Sequence, residues 1–282
     1  MKYFLSLLVL LFTLSPFTNA SDKTIIMGYK AIAKPPLIGG HGDDSGLYLD
    51  LFTKAAERIG YELLVVRIPK KRLHFELARG TVDFYPGSSF SQKRTGYIFY
   101  LPNGLQTKEV LISLDYWPEI NSMEEVEGRL IVELSSSKLE WDQIHPKLTI
   151  SQMGKLSMEK VIEALKTGRG DFYVADIEIV DHYQKLNDLE SYEEVGIKIH
   201  HNAINQAFIP MNMGFSRKSK LFSEYPNPNF SPDDDISIEN FYTIVDQDSV
   251  AYQFYQALDQ LKQEGYTQKL YDQYFKQAPI TE

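Results

Sequence analysis

One nine-residue pattern, L-x-x-G-x-x-D-F-Y, occurs twice in the chain, as LARGTVDFY at residues 77–85 and as LKTGRGDFY at 165–173. Each copy reads as a helix that stops at a glycine and turns into a strand, because glycine supplies the left-handed residue that ends helices and aromatics suit strands. Such a junction favours these residues wherever it occurs, so the echo has two readings: a generic turn used twice, or two lobes of the same α/β build. The surroundings favour two lobes. Residues 25–27 predict a strand. Leu47, Leu51, Ala55 and Ile59 then recur at helical spacing up to Gly60, and 61–66 is apolar and extended again. Strand, helix, strand implies a parallel pair with a right-handed crossover. A helix over 71–79 leads into the first copy. Around the second copy, 156–165 predicts a helix, 172–174 a strand and 177–186 a further helix.

Two extended apolar runs, 108–114 and 206–213, bracket the second lobe. They predict a pair of hinge strands through which the chain leaves the first lobe and returns to it. The expected division is residues 21–108 plus 207–282 in lobe 1 and 109–206 in lobe 2. Residues 222–235, polar and rich in Pro and Asp, predict a loop. A long helix to about Gln263, a stop at Gly265 and a last helix ending near Tyr274 and Phe275 complete the chain. Residues 1–20 carry Lys2, a short apolar run and the small-residue stretch Thr18-Asn19-Ala20. Spanning a bilayer takes roughly 20 apolar residues, so this is expected to be a signal peptide cut after Ala20, which implies a periplasmic product. With no cysteine in the chain there is no site for an N-terminal lipid.

The same absence removes disulfides, thiolate nucleophiles and cysteine-ligated metals. With 38 acidic against 29 basic side chains and no Lys/Arg block, a nucleic-acid or anionic membrane partner is not expected. No nucleophile elbow, zinc-protease helix, phosphate loop or dinucleotide fingerprint occurs. His200 and His201 are neighbours on a predicted strand and point to opposite faces, so they are poor joint metal ligands. Asp233-Asp234-Asp235 lacks the glycine and bidentate glutamate of a calcium loop and reads as solvated. Neither cofactor nor metal is expected. What stands out follows the two echoed strands. After Tyr85 comes PGSSFSQKR, in which Ser88, Ser89 and free backbone amides favour an anion and Arg94 can grip a carboxylate with two hydrogen bonds. After Val174, Asp176 falls between a strand's C-terminal end and a helix start, where open α/β sheets bind ligands and where a plain N-cap would also sit.

Taken in order, four stretches resemble bacterial extracellular solute-binding proteins of family 3: Gly46-x-x-x-Asp50-Leu51 with AAERIGYE at 55–62, residues 77–83 with SFSQKR at 89–94, residues 166–176, and LDQLKQEGY at 258–266 with Tyr274 and Phe275. The resemblance implies a two-lobed periplasmic binding protein fold of type II. It also implies a monomer that closes on an amino acid or related carboxylate and presents it to an inner-membrane ABC transporter permease or a sensor. By position, Arg94 resembles the residue that binds the ligand α-carboxylate, Ser89 the hydroxyl and amide donor beside it, and Asp176 the acceptor of the α-ammonium. Ser136 and Ser137 fall where the carboxylate site is completed. There are departures. Ser135 replaces a usual glycine, the stretch from Asp83 to Arg94 is about one residue short, and Lys30 stands where a second acid for the ammonium is common. Ala33 stands where an aromatic often stacks on the ligand, and Tyr29 is its candidate replacement. The carboxylate side is thus intact and the amine side weakened. Two alternatives remain open: a periplasmic enzyme resembling cyclohexadienyl dehydratase, with Glu133 or Glu178 as nominal general acid, and a ligand-sensing protein with no transport role.

Overall fold

A computed structural model describes residues 23–40, 42–134, 136–204 and 207–275. The expected leader and Ser135 lie outside the described residues. The first half contains β1 (Thr24–Lys30), α1 (Leu47–Arg58), β2 (Glu62–Ile68), α2 (Lys70–Arg79), β3 (Phe84–Tyr85) and the long β4 (Ile98–Thr107). Then come β5 (Glu109–Leu114), β6 (Gly128–Glu133), the short α3 (Trp141–Ile144), β7 (Leu148–Met153), α4 (Met158–Lys166), β8 (Phe172–Asp176), α5 (Ile177–Leu186) and β9 (Ile197–His200). The chain closes with β10 (Ile209–Ser216), β11 (Glu224–Pro226), β12 (Thr243–Val245), α6 (Val250–Gln263) and α7 (Tyr266–Phe275).

Two five-stranded sheets result, in the orders β2-β1-β3-β10-β4 and β7-β6-β8-β5-β9. They correspond strand for strand. In each, a parallel pair with a helical crossover is joined by a third parallel strand, then by a fourth that runs antiparallel to it and a fifth antiparallel to the fourth. The two-lobe reading of the sequence echo therefore holds.

The echoed residues themselves show why. Gly80 and Gly168 end α2 and α4 at φ 75° and 68°, left-handed values that glycine adopts without cost. At Gly80 a Cβ would also lie 2.2 Å from the Lys218 carbonyl oxygen. The acid three residues on then ties its strand to the parallel strand beside it, β1 in the first sheet and β6 in the second. Asp83 donates its N–H to the Ile26 carbonyl at 3.0 Å while its Oδ2 accepts from the Ile26 N–H at 2.7 Å. Asp171 repeats this with Arg129, at 2.8 Å in both directions.

Burial follows the periodicity. α1 buries Leu47, Tyr48, Leu51, Phe52, Ala55 and Ala56 on one face. They pack on a core in which Phe84 lies 5.0 Å from Phe52 and 5.2 Å from Phe254, ring centre to ring centre. Each such side chain contributes about 1.5–3 kcal/mol when fully buried. The second sheet has its own core around Ile112, Ile131, Val161, Leu165 and Val180. Among the described residues no helix is long and apolar enough to cross a membrane.

The two extended runs expected at the junction are β5 and β10. β10 starts later than expected and runs on to Ser216, lying between β3 and β4, and Ile209 pairs with Thr107. The two crossings between the sheets are therefore neighbours. Residues 222–235 are not simply loop, since β11 and β12 pair antiparallel around them. This arm is tied down by Arg217, whose guanidinium donates to Glu224 at 2.7 Å and to the Thr95 carbonyl at 2.6 Å and lies 5.0 Å from the Tyr242 ring. The three aspartates remain exposed, and Asn240 Nδ2 donates to the Asp234 and Asp235 carbonyls at 3.2 Å. His200 is buried, accepting from the Ile120 N–H at 3.1 Å and meeting Ser113 Oγ at 2.8 Å, and His201 is exposed.

Candidate functional site

The C-terminal ends of the parallel strands in both sheets face one cavity of about 590 Å³. That is where ligands bind on open α/β sheets, because side chains from successive strand ends and helix starts converge there. Lys30 ends β1, Lys70 begins α2 just after β2, and Ser88, Ser89 and Arg94 follow β3. On the opposite wall Glu133 ends β6 and Asp176 ends β8, with Ser136 and Lys138 beside them. Arg94, Ser88, Ser89, Asp176 and Ser136 are thus brought together from separate elements.

The loop carrying the serines is held from behind. The Ser88 N–H donates to the Asn212 carbonyl at 2.7 Å, and Asn103 Nδ2 donates to the Pro86 carbonyl at 2.9 Å. Arg94 ends a short 3-10 turn from Gln92, its N–H donating to the Ser91 carbonyl at 2.9 Å. Its guanidinium lines the cavity and meets no acceptor among the described residues. Ser136 Oγ accepts from the Lys138 N–H at 3.1 Å, capping the next turn. The side chain of Ser137 lies outside the described residues.

Tyr29 is a correction. It is fully buried in the first-lobe core with Arg67 5.3 Å from its ring centre, and does not line the cavity. The reason is that β1 is an interior parallel strand covered on both faces, so the residue before Lys30 also points into protein. Position 33 does line the cavity, as alanine, and the aromatic surface there comes from Tyr48, Tyr85, Phe90 and Tyr173.

Asp176 is also not as expected. It stands at the N-cap of α5 but makes no capping hydrogen bond. Its Oδ2 instead accepts from the Lys34 ammonium, which reaches across from the first lobe. Burial alone would raise the Asp176 carboxyl, yet Lys34, with Lys138 and Lys30 further off, more than offsets this and holds it below the usual carboxylate range. Burial would likewise lower the Lys34 ammonium, and Asp176 holds it above its ordinary value. Lys138 is paired with Glu109 on its own wall.

Lys30, Lys70 and Arg94 have no ion-pair or hydrogen-bond partner for their charged groups among the described residues. The consequence shows at Lys70. Burial and then the charge of Lys30 push its ammonium down to about 7, with Glu133 opposing and Arg94 and Lys34 adding weaker pushes. Behind it, His74 is driven to about 4 by burial and by Arg94 and Lys70, and stays neutral. Lys34 and Lys70 had no motif to mark them. The strand-end rule would have found both, since Lys34 lies in the loop after β1 and Lys70 directly follows β2.

Of the two nominal acids, Glu133 lines the cavity and Glu178 does not. Glu178 is fully buried, accepts from Thr107 Oγ1 at 2.8 Å and is raised to about 7, chiefly by burial.

No family model and no curated protein matches the sequence. Solved structures do match in shape. An ancestral arginine-binding protein bound to arginine is 17% identical with a TM-score of 0.63, over 90% of this chain and 98% of that one. An amino acid ABC transporter substrate-binding protein, AbpA from Streptococcus pneumoniae bound to L-arginine, is 14% identical with a TM-score of 0.64, over 93% of this chain and 98% of that one. AncCDT-1, an ancestral amino acid-binding protein described as a precursor of cyclohexadienyl dehydratase, is 16% identical with a TM-score of 0.61, over 90% of this chain and 95% of that one. At these identities the likeness is one of architecture, and it agrees with the matched sheets: this chain has the two-lobed, type II periplasmic binding protein fold.

Proposed function

We propose that the protein is an extracytoplasmic receptor that captures a small carboxylate-bearing solute between two closing lobes, residues 21–108 with 207–282 and residues 109–206. It would hand that solute to an ABC transporter permease or a sensor in the inner membrane. One observation carries this reading: Lys30, Lys70 and Arg94 reach one cavity between the sheets, and among the described residues no acid is paired to any of them. Isolated charges out of bulk water are costly unless something of opposite sign joins them. Arg94, beside Ser88 and Ser89, offers the planar pair of donors that a carboxylate accepts. Among the matched structures are amino acid-binding proteins, which supports the same reading.

The enzyme alternative has support from the dehydratase-related structure. Against it, the buried acid of raised pKa, Glu178, is off the cavity wall and engaged by Thr107. A receptor returns its ligand unchanged, so prephenate and arogenate should be recovered intact after incubation with the protein. The primary test is a thermal-shift screen against amino acids, oligopeptides, polyamines and organic acids. A ligand at 100 times its dissociation constant adds about 2.7 kcal/mol and raises the melting temperature measurably. A screen in which nothing raises it would refute the receptor reading.

A further inference from the structure

The charges in the cavity leave a specific remainder. The first-lobe wall carries Lys30, Lys34, Lys70 and Arg94, and the second-lobe wall carries Glu109, Glu133, Asp176 and Lys138. Asp176 is taken by Lys34 and Glu109 by Lys138, so neither is left to receive a ligand's ammonium. Glu239 is exposed at the rim, its Oε2 accepting from Ser237 Oγ at 3.1 Å. What remains facing inward is three basic side chains, Lys30, Lys70 and Arg94, against Glu133, an excess of positive charge that becomes full when an anion draws the proton onto Lys70.

Lys34 is not a side chain that happens to stray near an acid. Its N–H donates to the Ile38 carbonyl and its carbonyl accepts from the Ile38 N–H, each at 2.9 Å, in an isolated antiparallel bridge. Leu37 and Ile38, at 1% and 0% exposure, bury that loop in the first-lobe core. The backbone that carries the ammonium is fixed, and only the four-carbon stem spans the cleft. Once the lobes meet, this tethered ammonium is present at a far higher local concentration than a free amine.

We propose that the cleft is built for an amine-free dicarboxylate, with Lys34 of the protein itself taking the place on Asp176 that a ligand ammonium would otherwise take, an inference that rests on the receptor reading. Arg94 with the serines of its turn holds one carboxylate, and Lys30 and Lys70 hold the other. An amine-bearing analogue brings a third charge for which Asp176 and Glu109 are already taken, while Glu133 faces the charge of Lys70, so the ammonium meets the cationic wall instead. Exclusion by a like charge is how a site rejects a close relative of its ligand.

The test uses compounds matched one group at a time: succinate, glutarate and adipate; L-aspartate, L-glutamate and L-2-aminoadipate, which add the amine; and butyrate and pentanoate, which lack the second carboxylate. Thermal shift followed by calorimetry at pH 7 reads their affinities. In the wild type the best amine-free dicarboxylate should bind at least tenfold tighter than its amine-bearing counterpart and than either monocarboxylate. Lys34→Met frees Asp176 and should narrow or reverse the amine discrimination by tenfold or more, whereas Lys34→Arg should keep it. The double variant Lys34→Met with Asp176→Asn, which leaves no unpaired charge, should lose that gain. Equal or tighter wild-type binding of the amine-bearing acids overturns the proposal, and so does equal binding of the monocarboxylates. If ordinary amino acids stabilise the protein and amine-free dicarboxylates do not, this inference fails while the receptor reading stands. If the whole screen is silent, both fail.

Discussion

Lys70→Met should make the empty protein more stable at neutral pH, by an amount that fades as the pH rises. In the folded protein the Lys70 ammonium is brought from its ordinary 10.5 to about 7, by burial first and then by Lys30, Arg94 and Lys34, with Glu133 opposing. It also begins α2, where the helix macrodipole disfavours a cation. Folding thus makes this group give up its proton more easily. The resulting penalty is full below about pH 7, shrinks as the pH climbs, and is gone above about 10.5. A displacement of roughly 3.5 units at 1.36 kcal/mol per unit sets a ceiling of roughly 5 kcal/mol. Lys70 is only partly buried, and solvent in the open cleft screens its neighbours, which brings the expected effect down to about 2 kcal/mol. The extra apolar surface of methionine adds an offset that does not depend on pH. Urea unfolding of wild type and Lys70→Met at pH 6.5, 8 and 9.5 isolates the part that does. The variant's advantage should fall by about 1 kcal/mol across that range, the rest being lost only as the pH passes 10.5. A difference constant with pH would show that Lys70 keeps an ordinary proton affinity, and the account of a crowded cationic wall would be wrong.

Three further outcomes are expected. Arg94→Ala removes the paired donors for a carboxylate and should cost on the order of 2 to 5 kcal/mol of binding, bringing the best ligand of the screen below detection in calorimetry; wild-type affinity in this variant would mean the site lies elsewhere. The mature protein should begin at Ser21 and be released by osmotic shock, and N-terminal sequencing that finds Met1 in a membrane pellet would contradict the leader reading. Ligand should compact the molecule by rotation about the adjacent β4–β5 and β9–β10 connections, so solution scattering of free and saturated protein should differ in radius of gyration, with no change in helix content by circular dichroism.

The two-lobe architecture was legible because its signals are local. A left-handed glycine, the acid that pairs with the strand beside it and the aromatic strand residues all fall within nine positions, and each lobe repeats them. The β11–β12 hairpin was not legible, because its strands are three residues long, partly exposed and held by Arg217 from outside the segment. Ser136 came from the family resemblance alone, whereas the segments that follow the two echoed strands brought Arg94, Ser88, Ser89 and Asp176 into view, since that reading needs only the order of elements. It said nothing of partners. The contact between Lys34 and Asp176 joins residues 142 positions apart through the placement of two separately built sheets, and no spacing in the sequence encodes that. Tyr29 misled for a related reason. An aromatic next to the cleft in sequence is indistinguishable from a core aromatic until both faces of its strand are known to be covered.

The position of β10 also bears on the order in which the molecule can form. Within the first sheet, β4 is bonded only to β10, and β10 only to β3 and β4. Residues 98–107 therefore cannot join β1, β2 and β3 until residues 209–216 exist, whereas every strand of the second sheet comes from the contiguous stretch 109–200. During synthesis from the N-terminus the later-made lobe is complete first, and the earlier-made lobe waits with a gap in the middle of its sheet. Pairings that span a hundred residues also form slowly, because the loop they close must be ordered before they contribute. The first lobe is thus the last to fold, and a chain halted before β10 carries a finished second lobe and an unfinished first.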